Sequence, residues 1–599
     1  MSAPHARREP EPVPTRLGAL VHRAKVLVHQ VVRGARDRVD VVRRPERAVH
    51  VAAAGDTLLR APLLAERRSA LWTATDPGEW PLEEGKVENL RVAARKLDGL
   101  EYPAGATFSF WAQIGRPTRR QGFVDGREIR EGCIVPAVAG GICQLSNALY
   151  EAALAAGLEI VERHPHSRVV PGSQAALGAD ATVFWNYVDL RLRSDQPLRL
   201  EVALDADELV VRLRGGAPRR RHLTVLQDSQ RARLEHDCHT CGQDACFRHE
   251  APTAAQRSAR ARTAYLVDER WPEFDRHVQA TRAPGDLLLV PLDGARLRRP
   301  RYAWSTAGLV TTQHPRAALL RALHSRRLAD QGAARQRVLL AGDDRLAEAM
   351  ARSLPPSVRR VVVAQNLLPA LWRRGALGGR RFEVLLTRLP LAELHARLDR
   401  AAAAHPRSPT LADFRGEPWR VAAESAALAA AERVLTPHAE LAALFPGRAE
   451  RLPWAVPSAR DEPVPRDSSQ PPTIAFPAST VGRKGAWELR EALRGLPVAA
   501  RLWVAGRPLE GGEFWRGLDV SEGTAAPARP DVVVLPAHVE HQPRALLAAL
   551  ARGIPVIASS ACGLGDLPGV ITVPPGDVAA LRAALAAALA GLAAARRSA

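Results

Sequence analysis

Aromatic residues are scarce, with Trp, Tyr and Phe together making up 5% of 599 residues. Around the arginines near Cys238–Cys246 no run of interleaved aromatics supports a base-stacking surface, and no specific nucleic-acid partner is expected. Lysine is rare as well, and the 84 Lys plus Arg that face 64 Asp plus Glu are almost all arginine. The resulting charge of +20 permits phosphorylated substrates or anionic lipid and selects neither. Six cysteines in so long a chain are too few for a disulfide framework. No apolar run approaches the ~18 residues that would span a bilayer. The first residues, MSAPHARREPEPVP, carry no signal-peptide h-region, so a cytoplasmic location is the expectation. What is present is ordinary for a globular chain: 46% apolar and 25% charged residues, enough for several buried cores and roughly three to five domains.

Periodicity divides the chain. Residues 1–60 are basic, and Leu17, Leu20, Val21, Ala24, Leu27, Val28, Val31 and Val32 recur at helical spacing. This predicts an amphipathic helix that either meets an anionic membrane surface peripherally or packs on the next domain. Residues 80–217 mix strand-like ATFSF (106–110) and LRLEVALD (198–205) with a helix from Cys143 to Ala156 stopped by Gly157, which reads as one α+β domain. A connector rich in Cys, His and Arg occupies 218–261. From 262 to 456, short apolar runs at 264–268, 286–292, 337–342, 360–365 and 383–390 alternate with helical stretches, the pattern of parallel β-α-β units. A Pro- and Ser-rich hinge at 457–472 separates this lobe from a second at 473–599. The fold class expected is therefore multidomain, an α+β domain followed by a two-lobe α/β region of Rossmann type. Two facing α/β lobes leave a cleft at the carboxyl ends of their strands, where helix N-termini offer N–H groups to an anionic ligand.

The second lobe resembles the retaining glycosyltransferases of the GT-B fold, group 1. The resemblance is carried by RKGAWELREAL (483–493), LWVAG (502–506), PDVVVLPAHVEHQPRALLAALARGIPVIASSACGLGDL (530–567) and VPPGDVAALRAAL (573–585), with VLTPHAELAALF (434–445) before the hinge. It implies a nucleotide-sugar donor and a carbohydrate or lipid-linked acceptor of the cell envelope or a polysaccharide. Lys484, beside Arg483 at the start of a helix, suits a donor diphosphate. Glu540 stands at the first carboxylate of the family's paired glutamates. The second falls on Ala548, and the family's arginine five residues before the lysine falls on Ser479. Those departures keep open a second reading, a binding or scaffolding protein built on a degenerate GT-B fold.

Residues 86–215 resemble the VanW family through KVENLRVAARKLDG (86–99), YPAGATFSFWAQIGRPTRRQGFVDG (102–126), GGICQLSNALYEAALAAGLEIVERHPHS (140–167) and GADATVFWNYVDLRL (178–192). The family implies a domain and no particular reaction. From the residues themselves, Cys143 opens a helix, whose positive end favours a thiolate. His164 and His166, two apart in an apparent strand, are expected on one face, and Asp180 lies in a later strand-like segment. This order suits a Cys-His-Asp thiol enzyme. A ligand-binding or structural domain and a metal site are the alternatives.

Cys238, Cys241, Cys246 and His249 have C-x2-C-x4-C-x2-H spacing, three thiolates and an imidazole suited to structural Zn, with a Cys-ligated iron-sulfur cluster as the rival. Cys133 and Cys562 are isolated and read as packing residues.

Overall fold

The computed structural model describes residues 16–43, 49–74, 77–130, 133–166, 168–169, 180–219, 232–233, 262–327, 332–413, 415–458, 471–497, 499–523, 527, 530–565 and 567–598. They form two compact units. The first is Met1–Arg262 with Pro355–Arg359 and Arg374–Arg380; the second is Thr263–Leu354, Arg360–Arg373 and Arg381–Ala599. The metal-ligand set Cys238, Cys241, Cys246 and His249 and most of the 457–472 hinge lie outside the described residues.

The first unit has a five-stranded antiparallel sheet in the order Ala53–Ala54, Leu100–Tyr102, Leu198–Leu204, Glu208–Gly215, Leu63–Ala70. The central hairpin turns where Asp205 Oδ1 accepts from the N–H groups of Asp207 and Glu208, at 2.9 and 2.7 Å, an Asx turn that needs no glycine. Helices Trp80–Leu97 and Cys143–Ala156 contribute to its core. The second of these buries Leu145, Ala148, Leu149, Ala152, Ala153 and Ala156, a single face at helical spacing. It ends at Gly157, whose φ of 73° supplies the left-handed C-cap. The chain then enters a three-stranded antiparallel sheet in the order Thr107–Ser109, Arg191–Arg193, Glu159–Glu162.

The basic N-terminal helix runs Arg16–Arg43. Arg33 makes a bidentate contact with Glu162 at 2.8 and 2.6 Å, and Gln30 Nε2 donates to the carbonyl of Trp185 at 3.0 Å. Leu27, Val28 and Val31 remain 60–65% exposed. No helix among the described residues is long and apolar enough to cross a membrane.

The second unit holds two parallel sheets, as the alternation predicts. The first runs Val310–Gln313, Leu287–Val290, Arg262–Leu266, Val358–Ala364, Arg381–Leu385, Arg433–Thr436, Ala449–Arg451. The second runs Val520–Gly523, Arg501–Ala505, Thr473–Phe476, Val532–Leu535, Val556–Ser559, Val570–Val573. Some inner strands, such as Val532–Leu535 and Leu287–Val290, are buried at every position, which is why they read as uninterrupted apolar runs. Residues 337–342 correct one expectation: RVLLAG is part of the helix Gly332–Arg352 and forms no strand. The surrounding Ala, Arg and Leu favour helix, and Leu346, Ala347 and Met350 continue the apolar face into the core.

Candidate functional site

In the second unit the strand order fixes where a ligand would lie. Thr473–Phe476 is central: the chain leaves it to one neighbour, Arg501–Ala505, and later returns on its other side as Val532–Leu535. The loops after these two strands border the topological switch point, the ligand-binding crevice of open parallel sheets. Lys484 follows the first strand and Glu540 the second. Lys484 Nζ meets Glu540 Oε2 at 2.6 Å. Glu540 Oε1 accepts from the N–H groups of His541 and Gln542 at 2.8 and 2.9 Å. Burial pushes the Glu540 carboxyl up, but Lys484, these amides and Arg483 outweigh it and hold it below the usual range. Arg483 lies in the same turn, and its carbonyl accepts from His538 and Val539 at 3.0 and 3.1 Å, tying the two loops together. Lys484 ends a short 3-10 turn, Gly482–Lys484, and Gly485 links that turn to the helix Ala486–Arg494. Ser479 lies in the loop beside Gly506, and Ala548 is exposed on the helix Arg544–Ala551.

Four histidines that sequence reading did not select lie close to this pair or to the helix Ala486–Arg494 that follows it. His438 Nε2 donates toward the carbonyls of Glu540 and Ala561 at 3.1 and 3.2 Å, and its Nδ1 accepts from Leu441 at 3.3 Å. Burial pushes its pKa down to about 4, so the ring is neutral. His541 is held well below its ordinary value by burial and by Lys484, Arg388, Arg483 and His438, and its buried Nδ1 has no hydrogen-bond partner among the described residues. His538 and His405 both place Nε2 on Glu488 Oε1, at 2.9 and 2.7 Å, the one set among the described residues with the makings of a metal site. For His538 and His541 the signal in the sequence was present but weak, a histidine two before and one after Glu540.

In the first unit Cys143 is the first residue of its helix and is half-buried. Its Sγ lies 3.8 Å from Thr182 Oγ1 and 3.8 Å from the carbonyl of Val183. Asp180 is fully buried. Its Oδ2 accepts from the His166 backbone N–H and from Nδ1 of the ring, both at 2.7 Å, and its Oδ1 accepts from Arg163 at 2.8 Å. Burial raises the Cys143 thiol, but the hydrogen bond and charge of His166 bring it below its ordinary value. Burial opposes charge on His166, yet Asp180 and Cys143 push it up to about 9. Cys143, His166 and Asp180 are thus brought together. His164 is not, because its Nε2 turns to Glu162 at 3.0 Å. The strand ends at Glu162, so the expectation of a shared strand face fails: beyond that residue, period-two alternation no longer applies. Asp180 likewise sits outside any strand.

Comparison with known proteins divides the chain in the same way. Residues 85–214 match the family model "VanW like protein", and residues 472–591 match "Glycosyl transferases group 1". The chain is 32% identical over 151 residues to the vancomycin B-type resistance protein VanW of Enterococcus faecalis, covering 24% of this chain and 54% of that protein. It is 33% identical over 132 residues to the uncharacterized protein YoaR of Bacillus subtilis, covering 22% of this chain and 43% of that protein. The chain therefore spans about half the length of the curated relatives it matches. Among solved structures, the apo lipopolysaccharide outer core galactosyltransferase WaaB aligns at 13% identity and TM-score 0.32, over 55% of this chain and 90% of that one. Anabaena HepE in complex with UDP-glucose aligns at 14% and 0.32, over 55% and 89%.

Proposed function

We infer that the second unit is a glycosyltransferase that takes a nucleotide sugar as donor and transfers its sugar to a carbohydrate or lipid-linked acceptor. The observation that carries this reading is the Lys484–Glu540 pair at the switch point, inside the stretch that matches group 1 glycosyl transferases. In such a transfer the bond between the anomeric carbon and the phosphate oxygen breaks, a bond to an acceptor oxygen forms, and the nucleoside diphosphate departs. Negative charge grows on the departing diphosphate, and Lys484 and Arg483 are cations fixed in advance near the crevice where it would lie. Glu540, anchored by two amides, keeps Lys484 placed before the donor arrives.

The exposed Leu27, Val28 and Val31 beside the arginines of the N-terminal helix support a peripheral contact with an anionic membrane, which in this reading would bring a cytoplasmic enzyme to a lipid-linked acceptor. The test is to incubate the full chain with a panel of nucleotide sugars and follow nucleoside diphosphate release. At least one donor should be turned over, slowly by hydrolysis or faster with a saccharide acceptor. A chain that is stabilised by no donor and turns over none would favour the degenerate, scaffolding reading instead.

A further inference from the structure

We propose that Cys143, His166 and Asp180 form a second active site, a thiol nucleophile with its base and orienting carboxylate, that acts on an acyl substrate, an ester or amide carbonyl. It is independent of the glycosyl-transfer reading and lies in the other unit of the chain.

Three segments must be tied together for such a site, and each tie is visible. Ser146, on the Cys143 helix, donates from Oγ to the carbonyl of Ala181 at 2.6 Å, and Asn147 Oδ1 accepts from the Ala181 N–H at 2.8 Å. These bonds pin the 180–183 segment to the first turn of the helix that carries the thiol. The Thr182 N–H donates to the carbonyl of His164 at 2.8 Å, which brings the histidine segment to the same place. Arg163 then closes the arrangement: its Nε donates to the carbonyl of Asp180 at 2.7 Å, and its guanidinium, besides binding Oδ1, lies 5.1 Å over the ring of Tyr150.

The imidazole has a fixed role within this frame. Nδ1 is committed to Asp180, so Nε2 is the nitrogen left to face the thiol. A buried carboxylate that fixes the tautomer of a histidine beside a thiol is the arrangement of an activated nucleophile. The Cys143 backbone N–H makes no hydrogen bond among the described residues, and it stands at the positive end of a 14-residue helix. A carbonyl oxygen attacked by Sγ would have that N–H as a donor. The chain carries its own contrast. Cys562 is fully buried, its Sγ faces the carbonyl of Leu535 at 3.4 Å, and burial pushes its thiol up to about 12. A purely structural cysteine looks like Cys562.

The step balances without a further reagent. The Cys143 thiolate attacks the carbonyl carbon and the carbon–sulfur bond forms. The tetrahedral intermediate collapses with cleavage of the carbon–nitrogen or carbon–oxygen bond, and the His166 imidazolium gives its proton to the leaving amine or alcohol. Water, deprotonated by His166, then attacks the thioester. The carboxylic acid departs, and thiolate and imidazolium are restored.

The full chain treated with p-nitrophenyl acetate should release a burst of p-nitrophenolate and carry an acetyl thioester on Cys143, read by peptide mass spectrometry. Alkylation by iodoacetamide should reach half its limiting rate at Cys143 well below the pH of an ordinary thiol, while Cys562 stays unreactive. Cys143→Ser should keep the parent melting temperature and lose the adduct. His166→Ala should slow acylation about 10²- to 10⁴-fold, the range for a positioned general base, and shift the alkylation profile to higher pH. Asp180→Asn, which keeps the side-chain volume, should shift that profile in the same direction. The groups that set the profile are His166, Asp180 and Arg163. An unacylated Cys143 in the parent chain, or a rate and profile unchanged in folded His166→Ala or Asp180→Asn, would overturn the proposal.

Discussion

Asp180→Ala is expected to destabilise the first unit by about 3–5 kcal/mol, the cost of leaving a buried charge network without one partner. The carboxylate takes the Arg163 guanidinium, the His166 ring and the His166 backbone N–H, and it is itself fully buried. Removing it leaves those donors without their acceptor. In a chain of two units a single melting temperature mixes their transitions, so the cleaner observable is amide hydrogen exchange in the Arg191–Arg193 strand, which reports opening of the first unit. Protection there should fall by about 10²- to 10⁴-fold, the same loss at ~1.4 kcal/mol per tenfold, while the Val532–Leu535 strand in the second unit keeps its protection. Asp180→Asn retains an acceptor and should cost less. Unchanged exchange in Asp180→Ala would mean that water or a neighbouring group replaces the carboxylate.

Gly485→Ala should be the most damaging single methyl in the second unit. Gly485 has a φ of 77°, where a side chain costs about 1–2 kcal/mol. A Cβ at this position would also overlap the carbonyl of Pro536, which immediately follows the Val532–Leu535 strand. The overlap is with backbone, so no rotamer relieves it. Relief requires the turn bearing Lys484 to move away from the loop bearing Glu540, which separates the ion pair. We expect a loss of more than about 2 kcal/mol in stability, from the αL cost and the overlap together, and loss of nucleotide binding in the same variant. Parent-like stability and binding would show that the two loops are not held by this close approach.

Much of this architecture was legible in the sequence, for identifiable reasons. The strands in DVVVLP and IPVIAS read as near-continuous apolar runs because they are covered on both faces, and Gly157 marks a helix end that needs a left-handed residue. RVLLAG was misleading because a short apolar run has no period of its own; the residues around it decided for helix. Lys484 and Glu540 were readable as single residues, but their ion pair, joined across 56 positions, was not. The same holds for His438, which meets the carbonyl of Glu540 from 102 residues away. In the first unit the helix start at Cys143 was plain. Choosing between His164 and His166 was not, because the choice depends on the strand ending at Glu162, and Arg163 gave no sign of its bond to Asp180.

The central claim, that the Lys484–Glu540 crevice receives a nucleoside diphosphate, is tested most directly by calorimetric titration of the full chain and of Lys484→Ala with the diphosphate that binds the parent. A charged hydrogen bond contributes about 1.5–3 kcal/mol, so the variant should bind about 10- to 150-fold more weakly. Lys484→Ala with Glu540→Gln should recover the stability lost by leaving Glu540 unpaired without recovering that affinity. An affinity unchanged in Lys484→Ala would contradict the account, because the ligand would then lie elsewhere.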